Sequence, residues 1–127
     1  MIKSPDMVLA AVDDLLFRSK IRTTAKQAGV DLTLVHSAAD IPAEARAKDP
    51  TLVIFDLNTD KGDPISTIAA MKRDPALAGI RTLAFVSHVQ TGLIQAARAA
   101  GADEVMARST FASQLAEILL SDRTAKP

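Results

Sequence analysis

Three short apolar runs in this chain each end on a polar residue: Met7–Val12 runs into Asp13-Asp14, Thr51–Phe55 into Asp56, and Thr82–Val86 into Ser87. The first two runs are continuous rather than alternating, as in strands of a parallel sheet that helices cover on both faces. In such an open sheet, ligands bind in the crevice outside the carboxyl ends of the strands, where strand order reverses. Polar groups at successive strand ends therefore gather at one rim, and three carboxylates there suggest a divalent cation.

Strand and helix patterns alternate along the chain. Leu15, Leu16, Ile21, Ala25 and Ala28 recur at helical spacing and Gly29 follows as a cap, which predicts a helix over Leu15–Ala28. Asp31–His36 predicts a second strand, more alternating and so nearer an edge, and Pro42–Lys48 a short helix closed by Asp49-Pro50. Asp60-Lys61-Gly62-Asp63-Pro64 carries the turn residues of a loop, with Pro64 opening a helix that runs to about Arg73. Arg81–Ser87, Thr91–Ala100 with Gly101 behind it, Asp103–Ala107 and Phe111–Leu120 complete five strand–helix pairs, the last helix facing inward through Phe111, Leu115, Ile118 and Leu119. Right-handed crossovers and short loops turn that order into a doubly wound, five-stranded parallel sheet, a flavodoxin-like three-layer α/β sandwich. One domain is expected, with its core between about 7 and 120 and a loose tail over 121–127.

With 127 residues, the chain can bury roughly two-thirds of the surface its unfolded form exposes, so folding needs no metal or disulfide staple. Fifteen Lys and Arg balance fifteen Asp and Glu, leaving no net field to attract nucleic acid or an anionic membrane. The absence of cysteine excludes a disulfide framework, a thiolate metal site and a cysteine nucleophile, and is compatible with the cytoplasm. Met7–Val12 meets two aspartates too soon for a signal peptide, and no apolar stretch reaches membrane-spanning length.

From about Met7 to Leu120 the chain resembles the receiver domain of two-component response regulators. Asp13-Asp14 is similar to the acidic pair that helps bind magnesium after the first strand. Asp56, with Asn58 two positions on, resembles the phosphorylated aspartate, and Ser87 the switch hydroxyl after strand four. The resemblance implies a Mg2+ site formed by Asp13, Asp14, Asp56 and the Asn58 backbone carbonyl. It also implies a sensor histidine kinase or phosphotransfer protein as phosphoryl donor. An effector protein, or a second copy of the chain, would then dock on the face of helix four, strand five and helix five. The sequence departs from the family pattern after strand five, where Arg108-Ser109 stands in place of lysine and proline. Further departures are His88 beside the switch hydroxyl, Val105 at a usually aromatic position, and Thr59-Asp60 in place of Met-Pro.

The chemistry follows from residue types as well. An ionised aspartate can attack a phosphoryl group, but Asp56 beside two further acids resists ionisation because like charges raise one another's pKa. A divalent cation removes that obstacle, and a hydroxyl such as Ser87 with a cation such as Arg108 would stabilise charge on the transferring group. Each residue also has a structural role open to it. Asp14 can cap helix one, Asp13 can be a solvated loop acid, Ser87 a satisfied core hydroxyl, Arg108 a surface cation, and His36 and His88 strand-end or loop residues.

On helix four, Leu93, Ile94, Ala97 and Ala100 form the core face, while Ala96 and Ala99 leave a small, weakly polar outer surface between Gln95 and Arg98. Three function classes follow: a stand-alone phosphoaccepting receiver, a phosphorylation-independent interaction module on the same fold, and a small enzyme or cofactor carrier. The third is disfavoured by Asp13-Asp14-Leu15-Leu16, which would repel a flavin phosphate, and by the lack of G-x-G-x-x-G, G-x-x-x-x-G-K or G-x-S-x-G. The first is the reading adopted: a switch whose substrate is its own side chain, with no turnover of a metabolite.

Overall fold

The computed structural model describes residues 7–59, 61–87 and 90–121; Asp60, His88 and the tail beyond 121, on which parts of the sequence reading fell, lie outside the described residues. The apolar runs form β1 (Met7–Ala11), β2 (Asp31–Val35), β3 (Leu52–Asp56), β4 (Arg81–Val86) and β5 (Glu104–Ala107). All neighbours pair in parallel, in the order β2-β1-β3-β4-β5. Side chains alternate across each strand. Leu9, Ala11, Val53, Phe55, Ala84 and Val86 therefore enter one apolar layer, and Val8, Ala10, Leu52, Ile54, Leu83 and Phe85 the other. Every residue of β3 is buried, whereas β2 and β5, at the edges, stay largely half-exposed.

Helices α2 (Ile41–Lys48), α3 (Pro64–Arg73) and α4 (Thr91–Ala100) cover the first layer through Ile41, Ala45, Ile68, Met71 and Ala97. Helices α1 (Leu15–Ala28), α5 (Arg108–Ser113) and α6 (Leu115–Ser121) cover the second through Ile21, Ala25, Phe111, Leu115 and Ile118. The doubly wound three-layer sandwich expected from the sequence is thus the observed architecture.

Two local expectations are corrected. Leu15 and Leu16, counted among the helically spaced apolar residues of helix one, are 76% and 83% exposed. The Asp14 carboxylate accepts the Phe17 N–H at 3.1 Å and so fixes the start of the helix. That start turns Phe17, Ile21, Ala25 and Ala28 toward the sheet instead. The single last helix expected over Phe111–Leu120 is two, and the first of them, α5, begins already at Arg108 because the chain passes from β5 into it with no loop between them. Gln114, at φ −108° and ψ 13°, then separates α5 from α6.

Phe17, Phe85 and Phe111 stack under this corner with centroids 4.5 to 5.9 Å apart. At the opposite end of the sheet, fully buried Thr82 is tied to Asp103. The Asp103 carboxylate accepts the Thr82 N–H at 2.8 Å and the Lys72 ammonium at 3.2 Å.

Candidate functional site

β1 and β3 are the neighbours between which strand order reverses, and Ala11 stands opposite Phe55. The residues that follow, Asp13-Asp14 and Asp56, are therefore delivered to one end of the sheet. Asp56 pairs with Phe85 and Val86 with Ala107, so Ser87 and Arg108 leave the sheet at the same level. A cavity of about 240 Å3 opens there. Asp13, Asp14, Asp56, Asn58 and Arg108 line it, joined by Thr59 and Lys61 from the loop after β3. A larger open groove, about 490 Å3, runs where edge strand β2 lacks an outer neighbour; beside Arg22 and Lys26 it has Asp31 as its one carboxylate.

Asp56 is the buried member, 5% exposed. Burial pushes its carboxyl above the ordinary aspartate range; the Asn58 N–H, donated to its Oδ1 at 2.9 Å, and the Arg108 guanidinium oppose that rise. The charges of Asp14 and Asp13 add to it, but they act less than desolvation, which reverses the emphasis drawn from the sequence. Asp13 is held below the usual range, chiefly by its 2.9 Å hydrogen bond with His36 Nδ1 and further by Lys61, whose Nζ is 3.5 Å from Oδ2. Asp14 spends Oδ1 on the helix cap and turns Oδ2 toward Arg108, so its capping and site roles coexist.

Arg108 spans the cavity. Its guanidinium lies 3.7 Å from Asp56 Oδ2 and 4.0 Å from Asp14 Oδ2, and its Cζ sits 4.8 Å from the centre of the Phe17 ring. Its Nε is buried and makes no hydrogen bond. Ser87 does not line the cavity; its backbone N–H donates to Asn58 Oδ1 at 2.6 Å. Asn58 Nδ2 donates to Gln90 Oε1 at 2.7 Å, so one amide side chain ties the loop after β3 to the loop before α4.

In donor chemistry the cavity suits a hard divalent cation: three carboxylates line it and no thiolate is present. Among the described residues, however, no group of three or more acidic or imidazole side chains is already arranged to hold a metal ion. Lys61 lies against Asp13, and Arg108 against Asp14 and Asp56.

The sequence assigns no site role to Phe17, Lys61, Thr59 or Gln90, nor a contact of His36 with Asp13. Phe17 was legible, since an N-cap at Asp14 puts it one turn before Ile21. Lys61 was not, because its place depends on Gly62, whose φ of +79° lays the loop against Ser37 and Ala38.

The sequence matches no family model and no curated protein. The fold, by contrast, is that of response-regulator receiver domains. A chemotaxis response regulator of Vibrio cholerae superposes with a TM-score of 0.81 at 18% identity, covering 93% of this chain and 98% of that one. A phosphorylated cyanobacterial phytochrome response regulator gives 0.76 at 19% identity, over 95% and 93% of the two chains. An Mn2+-bound response regulator gives 0.73 at 17% identity, over 94% and 93%. Among the described residues no helix is long and apolar enough to cross a membrane.

Proposed function

We propose that this chain is a phosphoaccepting receiver that takes a phosphoryl group on Asp56 and signals through altered partner binding. The observation that carries this reading is a nearly buried carboxylate at the switch point of a receiver fold, facing a cavity with two more carboxylates and a guanidinium. A buried carboxylate with so few partners is costly to keep, and such sites cluster where chemistry is done. The phosphorylated and Mn2+-bound states of two similar proteins support the reading by analogy of fold.

An oxygen of ionised Asp56 attacks phosphorus in line with the leaving group. The Asp56 O–P bond forms as the donor's bond to phosphorus breaks, and the donor leaves with the electron pair. For a sensor kinase or phosphotransfer protein, that donor group is a phosphohistidine. The Asn58 N–H holds the carboxylate in place through Oδ1, and Arg108 lies where negative charge builds. Asp13, Asp14, Asp56 and the Asn58 carbonyl would hold Mg2+, which supplies charge neutralisation on the phosphoryl oxygens.

Drawing the Ser87 hydroxyl toward a phosphoryl group would strain the Asn58 amide bridge to Ser87 and Gln90, the residue from which α4 starts. The α4 surface with exposed Gln95, Ala96, Arg98 and Ala99, together with β5 and the last helical segment, α5 and α6, is the proposed output face toward an effector or a second copy.

The test is intact mass after incubation with Mg2+ and acetyl phosphate: one added phosphoryl mass in the wild type and none in Asp56→Ala. A wild type that gains nothing refutes the reading. Arg108 closing over Asp14 and Asp56 favours one alternative, a phosphorylation-independent interaction module whose partner binding is indifferent to Asp56→Asn.

A further inference from the structure

Arg108 is an unusual tenant of this cavity. Its guanidinium approaches Asp14 and Asp56 at 4.0 and 3.7 Å, outside hydrogen-bond reach, and its buried Nε has no partner. What holds it is charge and the faces of two rings, Phe17 at 4.8 Å and Phe85 at 5.9 Å. A side chain held by Coulomb attraction and stacking alone, at 31% exposure, sits in a seat it can leave. A lysine in its place would lack the flat group that these rings support.

Resting on the proposed reading of the cavity as a metal-dependent phosphoacceptor site, we infer that Arg108 is the resident counter-ion of Asp14 and Asp56, and that it competes with a divalent cation for their oxygens. Metal affinity is then governed by how firmly Phe17 seats the guanidinium, which offsets part of the negative charge of Asp14 and Asp56 in the metal-free pocket. Lys61 differs in kind: among the described residues its ammonium, more than half exposed, pairs with Asp13, and it is screened by solvent.

The test is a Mg2+ titration followed by amide NMR shifts around Asp56, since the chain has no Trp or Tyr to report by fluorescence. Arg108→Gln should tighten Mg2+ binding about tenfold, the scale expected for losing a partly exposed ion pair and a ring contact. Phe17→Leu, which keeps every charge but removes the ring, should tighten it by a smaller factor and serves if the first variant folds poorly. Lys61→Gln should change it by no more than about twofold.

Unchanged or weaker binding in Arg108→Gln overturns the inference. So does an equal gain in Lys61→Gln, which would indicate a general field in place of a specific seat, and so does an absence of Mg2+ binding in every variant. A wild type that fails to gain phosphoryl mass at saturating Mg2+ would instead refute the phosphoacceptor reading while leaving these affinity ratios standing.

Discussion

Asp56→Asn should make the protein more stable. The substitution keeps the side chain's shape and leaves Oδ1 able to accept the Asn58 N–H, while removing a charge that is 5% exposed. It forfeits a 3.7 Å attraction to Arg108, which retains Asp14 as a partner. Burying an ion costs roughly several kcal/mol of desolvation, and with the Asn58 N–H and Arg108 repaying part of it while Arg108 keeps Asp14, a net gain of about 1–2 kcal/mol is expected near neutral pH. For a domain of this size, that raises Tm by roughly 3–10 °C.

The pH dependence carries the cause. Burial raises the Asp56 pKa in the folded state above its ordinary 3.8, so its contribution to stability is fully present below that value and is lost as pH rises through the folded pKa. The gap between variant and wild type should therefore be wide at neutral pH and close in acid. Thermal unfolding followed by circular dichroism, in chelator across pH 3–8, reads both features. A variant no more stable than the wild type at neutral pH would show that Asn58 and Arg108 outweigh desolvation, and would remove the energetic case for a functional carboxylate.

Asp103→Asn should do the opposite. Burial raises that carboxyl, but the Thr82 N–H and Lys72 more than offset it and leave it below the ordinary range. Its stabilisation is thus present above the ordinary value and lost as pH falls through the folded pKa. Allowing for its exposure, the variant should lose about 1 kcal/mol at neutral pH, with the difference vanishing in acid; denaturant melts at the two pH values decide it. Gly62→Ala should cost about 1–3 kcal/mol in the same assay, because the residue adopts φ +79° and a Cβ would meet Ser37 Oγ at 2.6 Å and the Ala39 nitrogen at 2.9 Å. An unaltered melt would mean that the loop carrying Lys61 rearranges freely.

Continuous apolar runs made β1 and β3 readable as central strands, and the polar residue ending each run carried the position of the cavity with it. What stayed hidden was phase and closure. Leu15 and Leu16 fit a helical pattern as well as Phe17 does, and only the Asp14 cap decides which of them faces the sheet. Arg108 follows β5 in sequence, but its reach to Asp14 and Asp56 depends on α5 starting without a loop and on the Phe17 ring beneath it. Ser87 was placed in the right neighbourhood, yet its visible link to the site runs through its backbone N–H and the Asn58 amide, a pairing of two loops that no spacing rule announces.

The most direct measurement is chemical trapping of the acyl phosphate. After reaction with a phosphodonor and Mg2+, borohydride reduction converts a phosphorylated aspartate to homoserine, which peptide mass mapping locates. Conversion at Asp56 alone is expected. Conversion at Asp13 or Asp14, or at no residue, would contradict the assignment.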